Sequence, residues 1–132
     1  MKFFVFGNSL VPEDSAPYKI LPFLKAKFSR IDFIVVDPNE DWSEGEKNLN
    51  IIDTVLGLSE VILFDSLDHF WEQRQKVSLH DYDLLSELRF LKKLQKIKEV
   101  KIIGLPPKFK TALLQKAVSE IIENNFLKPL NF

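Results

Sequence analysis

Short, β-branched apolar runs alternate along this chain with stripes of apolar residues at helical spacing, and that alternation admits few folds. Lys2–Gly7, Ile31–Val36, Val61–Phe64 and Val100–Gly104 read as strands. Ile31-Asp32-Phe33-Ile34-Val35-Val36 and Val61-Ile62-Leu63-Phe64 are nearly continuous, the pattern of strands covered on both faces. Between them, Ser15–Phe28 carries Ile20, Leu21, Leu24 and Phe28 on one stripe. Asp83–Lys98 does the same with Leu84, Leu88, Leu91 and Leu94, and Thr111–Asn124 with Leu114, Ala117, Val118, Ile121 and Ile122. Asn48–Leu56, stopped by Gly57, reads as a further short helix. Strands alternating with helices predict parallel pairing through right-handed crossovers. The expected fold is α/β, a three-layer α/β/α sandwich with a mostly parallel central sheet. With 132 residues it is expected to form one domain, residues 1–132.

Local chemistry adds detail. Ser15 suits a helix cap and Pro17 a first turn, whereas Pro22 removes a bond to the preceding turn. A kink is expected there, or a helix that begins in earnest near Pro22. Asn39–Lys47 is polar and acidic and reads as a loop, and Gln75–Leu79 as a short exposed strand.

Bulk composition excludes several classes. The chain has no cysteine, so disulfides, thiolate metal sites and cysteine nucleophiles are absent. A net charge of −1 gives no general reason to expect nucleic acid. No apolar run approaches the ~20 residues that span a bilayer, and no basic leader precedes an apolar segment. A cytoplasmic monomer is the expectation. There is no G-x-S-x-G elbow, no Walker-type loop and no G-x-G-x-x-G. Arg89, Lys92, Lys93, Lys96, Lys98, Lys101, Lys108 and Lys110 form a basic run, more simply a solvated face than a docking surface.

Chemistry is expected outside the carboxyl ends of the strands. After the first strand, Gly7 and Asn8 break the chain, and the acidic pair Glu13-Asp14 follows. Asp65 ends the third predicted strand, and His80 stands in Ser78-Leu79-His80-Asp81 before the long helix. Asp14, Asp65 and His80 together suit a divalent metal, with imidazole favouring zinc, nickel or iron over calcium. Each has a plainer role beside this one. Asp14 can cap the first helix, Asp65 can close a strand with a turn, and His80 can lie in a capping turn with Ser78 and Asp81.

Taken in order, these segments resemble the nickel–iron hydrogenase maturation proteases. The family pattern of a strand, Gly-Asn-x-Leu and an acidic pair is met by Gly7-Asn8-Ser9-Leu10-Val11-Pro12-Glu13-Asp14. A mid-chain strand ending in Asp is matched by Val61-Ile62-Leu63-Phe64-Asp65, and the histidine segment by Ser78-Leu79-His80-Asp81. Ile102-Ile103-Gly104-Leu105-Pro106-Pro107 and a closing amphipathic helix complete the order. The resemblance implies an aspartyl-type endopeptidase that removes a C-terminal extension from a hydrogenase large-subunit precursor after nickel insertion. It further implies that Asp14, Asp65 and His80 contact nickel supplied by the substrate. Two departures stand out. Ser15-Ala16-Pro17 replaces the usual Gly-x-Gly after the acidic pair, and Asp37-Pro38-Asn39-Glu40-Asp41 replaces a Gly-rich turn. They leave a non-catalytic binding or checkpoint module as the alternative. A flavodoxin-like small-ligand binder rests on fold analogy alone.

Overall fold

The computed structural model describes residues 1–7, 14–36, 42–73 and 88–127. Five strands, β1 (Lys2–Val5), β2 (Asp32–Val35), β3 (Asn48–Thr54), β4 (Ile62–Phe64) and β5 (Glu99–Leu105), form one sheet in the order β2-β1-β3-β5-β4. The first, second, third and fifth run parallel, and β4 pairs antiparallel with β5. Helices α1 (Ala16–Lys27) and α3 (Thr111–Asn125) cover one face; α2 (Leu67–Gln73) and helical residues 88–93 cover the other. This is the expected three-layer α/β/α arrangement.

The strands alternate their side chains between two cores. Phe3, Val5, Ile52, Ile103 and Leu105 meet Ile20, Leu24, Leu114 and Val118 of α1 and α3. Phe4, Phe6, Leu49, Ile51 and Ile102 meet Phe70 and Leu88 on the opposite face. Phenylalanine supplies much of both. Phe3 stacks on Phe33 at 5.6 Å and meets Phe126 edge-on at 4.9 Å, and Phe64 meets Phe70 edge-on at 5.2 Å. A fully buried ring such as Phe3 or Phe64 contributes about 1.5–3 kcal/mol of transfer free energy.

Three expectations are corrected. Asn48–Leu56 is not a helix: Asn48–Thr54 is the central strand β3. Leu49, Ile51 and Ile52 are buried on alternating faces, and β-branched Ile51, Ile52, Thr54 and Val55 suit a strand held between two layers. Val61–Phe64 is not a doubly covered parallel strand. Ile62 and Leu63 are only half-buried, and β4 is an antiparallel edge. Helix α1 begins at Ala16 and runs through Pro22, so no late start occurs. Leu21 and Leu24 hold it against the sheet despite the bond lost at the proline.

The long helix expected over Asp83–Lys98 ends sooner, with residues 94–95 already in a turn. Gln95 adopts φ 61°, and the Lys96 amide donates to the Leu91 carbonyl at 3.0 Å. That is a Schellman closure with glutamine at the left-handed position. The predicted strand Gln75–Leu79 lies outside the described residues. No helix among the described residues is long and apolar enough to cross a membrane.

Candidate functional site

The carboxyl edge of the parallel strands is built around Gly7. Val5 pairs with Ile52, and the Phe6 amide donates to the Ile52 carbonyl at 2.9 Å. Gly7 then takes φ 151°, a conformation side chains rarely adopt. A Cβ on Gly7 would stand 2.8 Å from the Asp14 carbonyl oxygen and 3.2 Å from the Tyr18 ring. The strand end and the start of α1 are thus in direct contact, and Asp14 is delivered to this edge.

Ser15 occupies the N-cap position of α1, yet its side chain makes no capping bond. The helix is entered instead through backbone bonds from Tyr18 and Lys19 to the Ser15 carbonyl, with Pro17 in the first turn. The Tyr18 hydroxyl donates to the Gly7 carbonyl at 3.2 Å. Burial pushes the Tyr18 phenol above its ordinary value, and the negative charge of Asp14 adds to the effect.

A second carboxylate reaches this edge from β3. Asp53 follows Ile52 on the strand beside β1 and pairs with Gly104 of β5 on its other side. It is 0% exposed, with both carboxylate oxygens buried. Burying a carboxylate is costly unless other groups compensate it, so its place at a sheet edge marks a functional candidate. Sequence reasoning missed Asp53 because its strand was read as a helix. The signal was there in Ile51-Ile52-Asp53-Thr54-Val55, a β-branched run ending in acid, of the kind credited to Val61–Asp65.

The structure does not bring Asp65 to Asp14. Because β4 runs antiparallel, its carboxyl end points the other way. Thr54 pairs with Leu105, whereas Asp65 follows the Phe64–Ile102 pair and lies level with Lys101, four residues back along β5 (105 − 101). That is about 13 Å along the strands. Asp65 is exposed and lies 3.5 Å from His69, next to Ser66, whose hydroxyl accepts the His69 amide at the start of α2. The reading of Asp65 as the close of a strand describes this placement. His80 and Glu13, with Asn8, Ser78 and Asp81, lie outside the described residues. Among the described residues, no three His, Cys, Asp or Glu side chains cluster as a metal site. The basic run is also divided. Lys98 bonds through its amide to the Lys47 carbonyl at one end of β5, and Lys108 and Lys110 follow its other end.

No protein-family model and no curated protein matches the sequence. Solved structures do. A [NiFe] hydrogenase maturation protease HybD from Thermococcus kodakarensis is 27% identical, with a TM-score of 0.63, over 94% of this chain and 98% of that one. An endopeptidase from Escherichia coli shares the fold at 15% identity and a TM-score of 0.62, over 95% of this chain and 94% of that one. A hydrogenase 3 maturation protease shares it at 21% and 0.53, over 93% and 87%. In its sheet and across nearly its whole length, this chain is similar to solved hydrogenase maturation proteases.

Proposed function

We propose that this protein is an endopeptidase of hydrogenase maturation that removes the C-terminal extension of a [NiFe] hydrogenase large-subunit precursor after nickel has been inserted. What supports the reading is that Asp53 follows the Val5–Ile52 pair and the Asp14 backbone packs on Gly7, both at the carboxyl edge, in a chain similar to a maturation protease over 94% of its length. Asp14 and Asp53 would hold the precursor's nickel, with His80 as an imidazole ligand. Oxygen and imidazole donors fit nickel chemically. Asp53 takes the role first assigned to Asp65.

In this reading nickel belongs to the substrate, and it supplies Lewis acidity toward a carbonyl or a water. The work of the chain is positioning. Asp53 is held in the rigid centre of the sheet, and Asp14 is held by the contact of α1 with Gly7. Neither needs to become a covalent nucleophile. The protein would act in the cytoplasm as a monomer.

The test is to mix the purified protein with nickel-loaded and nickel-free precursor and weigh the products. Loss of one C-terminal peptide, confined to the loaded sample, is expected. Asp14→Ala and Asp53→Ala should each cut at least about 100-fold more slowly, while Asp65→Ala retains activity. Normal cleavage by folded Asp14→Ala and Asp53→Ala sinks the proposed site. Capture of the precursor without any mass change would point to the non-catalytic binding module.

A further inference from the structure

We infer that Tyr18 is the positioning residue of this site, its hydroxyl holding the Gly7 carbonyl so that the first turn of α1 presents Asp14 at a set place beside β1. The inference rests on the proposed protease reading and adds a residue to it.

Three observations converge on Tyr18. First, its hydroxyl donates to the Gly7 carbonyl at 3.2 Å, a bond spanning 11 residues that joins the end of β1 to the first turn of α1. Second, the space around Gly7 is fully used. The Tyr18 ring lies 3.2 Å, and Pro17 lies 3.4 Å, from where a Cβ would stand, so the ring packs directly on the glycine. Third, the helix start lacks the usual side-chain device. Ser15 makes no capping bond, and the first turn holds no acidic side chain. Pro17 and Tyr18 thus brace the entry of α1, and with it the place of Asp14. Pro17 itself, with Ser15, stands where the resembling family carries Gly-x-Gly. A rigid turn braced from outside does the work that flexible glycines would leave to the loop.

Tyr18 need not touch substrate for this role. Removing its hydroxyl leaves the ring, the packing on Gly7 and the helix intact, and frees only the Gly7 carbonyl. The expected consequence falls on the rate of the bound complex and not on binding.

The experiment compares wild type, Tyr18→Phe and Tyr18→Leu in cleavage of nickel-loaded precursor, with the carbonyl carbon of Gly7 and the amides of Asp14 and Ser15 followed by NMR in the free protein. Tyr18→Phe should lower kcat roughly five-fold or more, the rate equivalent of one hydrogen bond, with KM unchanged. Its melting temperature should fall by less than about 5 °C. The Gly7 carbonyl and Asp14 amide resonances should shift, and those of α3 should stay. Tyr18→Leu, which loses the ring as well, should be slower still. Wild-type kinetics in Tyr18→Phe overturn the inference, as does a deficit that disappears on cooling the assay, which would mark a purely structural loss. If the wild type fails to cut loaded precursor, the protease reading fails by itself. The resonances then decide alone: unmoved Gly7 and Asp14 signals in Tyr18→Phe overturn the positioning role, and shifts confined to them uphold it.

Discussion

Asp14 and Gly7 touch through the backbone: the Asp14 carbonyl oxygen stands 2.8 Å from the only place a Cβ could occupy on Gly7. Six residues lie between the two in sequence, and this contact joins the strand end to the residue that precedes Ser15 and α1. A carboxylate gains precision when the backbone that carries it is pinned to the sheet. Any side chain at position 7 would part them.

Gly7→Ala tests that contact directly. The methyl group meets backbone and not a yielding side chain, and φ 151° adds conformational cost. A loss of about 2–3 kcal/mol is expected, read from urea unfolding. Full stability in this variant would show that the strand end relaxes freely.

Gly104 is tight for another reason. A Cβ there would lie 2.6 Å from the Phe64 ring and 3.0 Å from Val55. The glycine, paired with Asp53 of β3, leaves room for the Phe64 ring of β4 to pack against β5. Gly104→Ala should cost about 1–3 kcal/mol by overpacking. The pair Gly104→Ala, Phe64→Leu should recover part of that loss in the same unfolding assay.

Gln95 offers a gain. It closes a helix at φ 61°, where a side chain is strained and glycine is not. Gln95→Gly should raise stability by about 0.5–1 kcal/mol, seen as a higher melting temperature. An unchanged or lowered value would contradict the strain.

The pH dependence follows from Tyr18. Its folded-state pKa is raised above 10.0, by burial first and the Asp14 charge second. The unfolded phenol therefore releases its proton at lower pH than the folded one. The contribution of Tyr18 to stability is complete below about pH 10 and is lost as pH rises through the folded value. Unfolding free energies measured between pH 8 and pH 11 should fall more steeply in wild type than in Tyr18→Phe.

Much of this fold could be read from the chain because apolar runs and stripes report burial directly. Thr111–Asn124 is an example: Leu114, Val118 and Ile122 all face the core of a helix that ends at Asn125. Strand β3 escaped for a physical reason. Leu49, Ile52, Val55 and Leu56 recur at three- and four-residue intervals, and Gly57 imitates a helix stop, so a fully buried strand took on a helix's rhythm. One miss then caused the next. Only seven residues, 55–61, separate β3 from β4, too few for the crossover a parallel strand requires. With β3 in view, the reversed direction of β4 follows, and Asp65 leaves the carboxyl edge. With β3 hidden, Asp65 stood in for Asp53. Hydrophobic patterning records depth and not direction, so two acids at strand ends could not be told apart by pattern alone.

The strand order also dictates when this protein can fold as it is made. Ile52 is flanked by Val5, 47 residues earlier (52 − 5), and by Ile103, 51 residues later (103 − 52). The middle of the sheet is thus assembled from chain emerging at opposite ends of synthesis. A nascent chain stopped before Glu99 carries β3 with one flank bare, an apolar ribbon open to pairing with a neighbouring nascent chain. Ribosomal release of β5 closes that ribbon and, in the same step, places Gly104 beside Asp53. The chain cannot display its candidate site before it has also hidden its most adhesive edge.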